Sequence, residues 1–176
     1  MKIMTKNIKL KITIEESAER HPVPVLGTDY RVKIVYKNVK FAELDVEDKL
    51  IKISLPNKYK KTNNEKILDI AIDRMYEQIA KIEVERAMEK TRILLGFAPE
   101  DYKIEKIKNI LGKCDDKKII INPEIVKYDR KKIDYIVLHQ YCHLKYKSHC
   151  KSFIKMIEKY EPNFEKYDQL ISSKQL

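Results

Sequence analysis

A chain of 176 residues, 43% hydrophobic and 36% charged, can bury a core as a single domain without disulfides to staple it. Lysine and arginine outnumber aspartate and glutamate by 37 to 27, giving a net charge of +10 and a pI near 9.3. The three glycines form no phosphate-cradling loop, and the three cysteines show no CxxC, which excludes a disulfide framework and points to a reducing cytoplasm.

The charge draws the protein toward polyanions. Without an arginine cluster or a basic stripe interleaved with aromatics, it reads as a solvated lysine-rich surface and not as a dedicated nucleic-acid groove. No apolar run reaches membrane-span length. Residues 1–11 alternate lysine with apolar residues and lack the sustained apolar core of a secretory signal, so the expected location is cytoplasmic.

In chain order, Ile8, Leu10, Ile12 and Ile14 alternate with Lys9, Lys11 and Thr13, the period-two pattern of a half-buried strand. Two prolines make residues 21–24 an extended loop, in which His21 is expected to be exposed. Alternation resumes at Tyr30, Val32, Ile34 and Tyr36. Segments 41–45 and 50–55 come next at hairpin spacing across a Glu47-Asp48 turn, so residues 25–60 read as an antiparallel β-meander.

Thr62 with Glu65 three residues on is a capping-box signature. Behind it Ile67, Leu68, Ala71, Met75, Tyr76, Ile79 and Ile82 recur at helical steps, predicting a helix over 62–95, either continuous or bent near Glu85-Arg86 and stopped by Gly96. A strand is expected over 102–107, a turn over 112–116 and a second strand over 119–121. Asp129 can cap a helix whose other side buries Ile133, Ile136, Val137, Tyr141 and Leu144. Ser148 can cap the next helix, over 153–160, and Pro162 sets off a last one ending near residue 171. The expected class is α+β in one domain over 1–176, with its site helices in 129–171.

Three of the four histidines, His139, His143 and His149, fall within eleven residues. His139 and His143 are four apart, which on a helix advancing about 100° per residue places both imidazoles on one face. A straight helix would swing His149 roughly 120° off that stripe, so the chain must turn before it if His149 is to join them. Three neutral imidazoles would then hold a divalent ion and leave one position open. A bare HxxxH pair is as often structural or solvent-facing.

The run His139 to His149, followed by Lys151, Phe153, Glu158 and Pro162, resembles the YgjP-like zinc metallopeptidases, relatives of the SprT and WLM groups, whose pattern reads HELxHLxxxxHSxxFW. Asn109 to Cys114 stands where that family carries SRWGSC, and Lys118 to Asn122 matches its following strand. The resemblance runs from about Val25 to Ile171, leaving 1–24 outside it. It implies a zincin-like fold, a Zn2+ cofactor on His139, His143 and His149, and a metal-activated water that hydrolyses a peptide or protein substrate. It also implies a substrate cleft around Gly112, Lys113 and Cys114, beside an edge strand that pairs with extended substrate.

Several positions depart from the family pattern. Ile110-Leu111 replaces Arg-Trp, Lys113 and Cys150 replace serines, Ile154 replaces Trp, and Gln140 stands where the family has its general-base glutamate. A carboxamide can hydrogen-bond a water but cannot receive its proton, so the expected activity is weak or lost. Asp134 and Glu158 are the neighbouring carboxylates in sequence, and Tyr160 or Lys113 could stabilise an oxyanion. The alternatives are a nucleoside triphosphate hydrolase of the same fold, a non-catalytic protein that holds peptide or nucleic acid, and a metal-free basic adaptor.

Overall fold

The computed structural model describes residues 22–61 and 65–172. The strand expected over 8–14, His21, and the Thr62 end of the capping box lie outside the described residues. The described residues fold as α+β, the class that the patterning predicts.

The first sheet contains β1 (Val23–Val25), β2 (Thr28–Lys37), β3 (Glu43–Glu47) and β4 (Leu50–Pro56) in the order β1-β2-β4-β3. β1 and β2 form a hairpin whose two turn residues, Leu26 and Gly27, both have positive φ, 49° and 77°. Asp48 and Lys49 make the second hairpin turn, between β3 and β4, one residue later than the expected Glu47-Asp48.

The sheet corrects the expected meander. β4 pairs in parallel with β2 and antiparallel with β3, so it sits between them. The composition of the strands explains this. Ile51, Ile53 and Leu55 of β4 are wholly buried and need cover on both edges, whereas Glu43, Asp45 and Glu47 give β3 the charged alternation of an edge strand.

Helix α1 (Glu65–Leu95) is continuous, without the bend allowed for near Glu85-Arg86. It buries Leu68, Met75, Tyr76, Ala80, Val84, Ala87 and Met88 in a core shared with Ile51, Ile53 and Leu55. The second sheet has β5 (Asp101–Ile104), β6 (Gly112–Asp115) and β7 (Lys118–Ile121) in the order β5-β7-β6. Again the strand with wholly buried isoleucines, Ile119 and Ile121, takes the centre. The expected 112–116 turn is a strand instead, the actual turn lying at Asp116-Lys117, and β5 stops at Ile104.

Asn122 holds the 105–111 loop that leaves β5. Its amide donates to the Ile107 and Ile110 carbonyls at 2.7 and 2.8 Å, and its side-chain oxygen accepts from the Glu124 N–H at 3.1 Å, capping a short 3-10 turn (Pro123–Lys127). That turn receives the first hairpin, since the Leu26 N–H donates to the Val126 carbonyl at 2.7 Å.

Helix α2 (Arg130–Lys145) begins where expected, with the Asp129 carboxylate accepting from the Lys132 N–H at 3.0 Å. Ile133, Ile136, Val137 and Tyr141 face the main core, and the Tyr141 hydroxyl donates to the Met88 carbonyl of α1. Tyr135, Leu138 and Cys142 face a second cluster with Phe153 and Ile157 of α3 (Lys151–Tyr160). Helix α4 (Glu165–Ser172) lies beyond the break at Pro162.

Candidate metal centre

Helix α2 ends because Tyr146 leaves helical geometry, with φ −129° and ψ 108°. The chain then turns through 146–150 before α3. His149 falls in this connector, not in the first turn of the next helix, and Cys150, not Ser148, occupies the N-cap position, without a capping side-chain bond. The correction is small in sequence and decisive in space. It frees His149 from helical phase and lets its ring fold back onto α2.

The three Nε2 atoms meet. His139 to His143 is 3.1 Å, His149 to His139 is 3.1 Å and His149 to His143 is 3.2 Å. Beneath them lies Phe153, 1% exposed, its ring centroid 5.0 Å from that of His139 and 4.7 Å from those of His143 and His149. His143 Nδ1 lies 3.0 Å from the Tyr146 carbonyl oxygen. A carbonyl only accepts, so Nδ1 donates and the Nε2 lone pair points to the shared centre.

This geometry fits a metal ion. A tetrahedral ion about 2.0–2.1 Å from each imidazole nitrogen would hold the nitrogens about 3.3 Å apart, close to the spacing observed. Burial, with the neighbouring imidazoles adding to it, pushes the His139 pKa down to about 3, and burial lowers that of His143 as well. Both rings are thereby kept in the neutral form that a metal requires. Among the described residues, these three form a group whose ligand atoms all lie within 4.8 Å of one another.

The centre opens onto a cleft of about 460 Å³ lined by His139, Gln140, His143, Lys147 and His149 on one side and by Ile110 with residues 112–116 on the other. Gly112, Lys113 and Cys114 therefore do face the histidines, from β6, whose outer edge has no strand partner among the described residues. Gln140 is 3% exposed and packs against Gly112, where a Cβ would come within 3.3 Å of the Gln140 Cγ. The rim carries both signs of charge, Lys113 and Lys147 against Asp115 and Asp116.

Other sequence candidates lie elsewhere. Asp134 is ion-paired to Arg86 at 2.7 Å and to Lys90 at 2.6 Å on the α1 side of α2, away from the cleft. Tyr160 lines a separate depression with Phe97 and Lys145. Glu158 is exposed and does not line the cleft. Cys142 is wholly buried, and burial raises its pKa to about 12, which makes it an inert thiol and not a ligand.

Sequence reasoning missed Lys147, on the connector, and the pair formed by Tyr135, whose hydroxyl donates to Asp168 Oδ1 at 3.0 Å, and Asp168, 3.9 Å from His139 Nδ1. Tyr135 stands one turn before His139 on the same helix and could have been found by the period that found His143. A contact with α4 has no local signal.

A cluster of three convergent imidazoles at one side of a cleft, facing a sheet edge that is unpaired among the described residues, is the frame of a metal-dependent hydrolase. The chain belongs to the YgjP-like family: the model of its metallopeptidase domain matches residues 3–174, further toward the N-terminus than the motif resemblance that begins near Val25. The chain is also similar to two solved metallopeptidase zymogens. Abylysin of Pyrococcus abyssi is 23% identical with a TM-score of 0.46, over 52% of this chain and 95% of that one. Jannalysin of Methanocaldococcus jannaschii is 20% identical with a TM-score of 0.46, over 53% of this chain and 91% of that one. No curated protein matches the chain. Among the described residues no helix is long and apolar enough to cross a membrane.

Proposed function

We propose that this protein is a zinc-dependent metallohydrolase domain of the peptidase type, with His139, His143 and His149 as ligands and Gln140 in the position of the general base. The observation that carries the reading is the convergence of three Nε2 atoms at 3.1–3.2 Å beside an edge of β6 that has no strand partner among the described residues. Bound zinc supplies Lewis acidity that lowers the pKa of a water and polarises a carbonyl.

The chain's own residues do the rest. The β6 edge left unpaired among the described residues can pair with an extended peptide, and Gly112 lets that edge lie close against α2 at Gln140. The Gln140 carboxamide can orient a water by hydrogen bonding but cannot take its proton, which lowers the rate by about two to four orders of magnitude relative to a glutamate there. The mixed charge of the rim suits a peptide better than a triphosphate or nucleic acid, either of which would favour a uniformly basic cleft. The free thiols Cys114, Cys142 and Cys150 accord with a cytoplasmic location.

The test is Gln140→Glu, purified with zinc and assayed against casein, peptide libraries and nucleoside triphosphates, with a chelated control. Chelator-sensitive peptide cleavage is the expected result. Triphosphate hydrolysis alone would replace the peptidase reading. Saturable peptide binding without turnover would replace it with a non-catalytic binding protein.

A further inference from the structure

One ring nitrogen of His139, Nδ1, is buried without a hydrogen-bond partner. With Nε2 given to a metal, the neutral ring would carry its proton on Nδ1. A donor sealed from water in this way needs an acceptor.

The carboxylate of Asp168, on α4, faces it. Asp168 Oδ1 is 3.9 Å from His139 Nδ1, too far for a hydrogen bond. The gap is also too short for a bridging water, whose two bonds would hold the end atoms about 4.5 Å apart. What fits between the two atoms is their own approach. The carboxylate is already aimed, because the Tyr135 hydroxyl donates to the same Oδ1 at 3.0 Å. Tyr135 sits one turn before His139 on α2, its ring 5.3 Å from that of Tyr167 on α4 and 6.1 Å from the His139 imidazole.

From this arrangement we infer that Asp168 is a positioning residue of the metal centre, accepting the His139 Nδ1–H and fixing the ring with Nε2 toward the ion, while Tyr135 holds the carboxylate in place. The inference rests on the metal-centre reading and deepens it. Carboxylate–imidazole–metal arrays raise the basicity of the ligating nitrogen and lock its tautomer. It also makes α4, which contributes no ligand, part of the site.

The experiment is a zinc affinity measurement by competition with a chromophoric chelator for the full chain and for Asp168→Ala, Asp168→Asn and Tyr135→Phe, together with metal-free thermal melts and the imidazole N–H region of the proton spectrum. Asp168→Ala is expected to weaken zinc binding by about 10- to 100-fold, on the scale of other outer-shell losses. Asp168→Asn, which keeps shape and the tyrosine bond, is expected to lose less, and Tyr135→Phe to move in the same direction. A downfield Nδ1–H resonance in the zinc-loaded parent should be missing from Asp168→Ala, a change that a merely structural role would not produce. Affinities within about twofold of the parent in all three variants, with that resonance unmoved, overturn the inference while leaving the metal centre intact. A parent that takes up no zinc overturns both.

Discussion

His143 Nδ1 and the Tyr146 carbonyl oxygen lie 3.0 Å apart, three residues from each other along the chain, at the point where α2 ends. The bond does two jobs. It uses one of the carbonyls left over at a helix C-terminus, and it commits His143 to the tautomer whose free nitrogen faces His139 and His149. The end of the helix and the orientation of the His143 imidazole are thus one structural event.

Metal binding should stabilise the fold in proportion to concentration. At a free zinc level about 100 times Kd, the gain is about 2.7 kcal/mol, or a rise of roughly 5–11 °C in melting temperature for a chain of this size. His149→Ala should abolish that rise and leave the metal-free melt almost unchanged, because this ring is exposed and sits on a connector. Melting curves with zinc and with chelator check both halves.

Acid should destabilise the metal-free protein in a definite window. His139 has its pKa pushed from 6.5 to about 3, mainly by burial. Above pH 6.5 the ring is neutral in both folded and unfolded chains; below it the unfolded chain takes up a proton that the folded one resists. Stability therefore falls as pH drops from about 6.5 toward 3, by up to about 1.4 kcal/mol per pH unit from this group. His143, shifted in the same direction, adds to it. Urea titrations between about pH 7 and pH 5 measure the slope, and His139→Gln should flatten it.

How much of the molecule is legible in its sequence depends on the range of each interaction. The His139/His143 pair, the Asp129 cap and α1 come from helical period and local capping, and all are present. The order β1-β2-β4-β3 depends on which strand competes best for the centre, a tertiary choice that the alternation shared by all the strands does not encode. The acidic face of β3 carried the clue. His149 lies just outside α3 because Cys150 takes the cap position, a shift of a residue or two that propensities do not resolve. Asp168 comes to 3.9 Å from His139 Nδ1 only through the packing of α4 on α2, which no short motif describes.

Gly27 and Gly96 offer a matched comparison. Both have positive φ, +77° and +73°, but a Cβ on Gly27 would come within 3.0 Å of the Asp129 Cβ and 3.2 Å of its backbone nitrogen, whereas one on Gly96 would meet nothing within 4 Å. Gly96→Ala should cost about 1 kcal/mol of backbone strain. Gly27→Ala should cost about 2–4 kcal/mol, since it also pushes on the residue that caps α2. Denaturant midpoints of the two variants, compared directly, test the difference.

Glu83 joins the two long helices. It is 3% exposed and accepts from Arg130 at 2.7 Å and from Arg86 at 2.9 Å, while Arg86 also reaches Asp134. The Arg130 bonds, reinforced by Arg86, hold its carboxyl below the usual range against the opposing effect of burial. Its contribution is therefore present above the ordinary carboxylate pKa and lost as pH falls through the folded value. Glu83→Gln should lower stability at neutral pH by about 1.5–3 kcal/mol, and the deficit should shrink in acid. Chemical denaturation at about pH 7 and about pH 3.5 reads both.

The aromatic ring of Phe153 under all three imidazoles gives the centre a closed back. A group approaching the three nitrogens finds the cleft on the β6 side open, while the opposite side is filled by hydrocarbon. If the centre holds zinc as proposed, a chelating group on an inhibitor should therefore reach it through the cleft, and bulk at the β6 side should hinder it most.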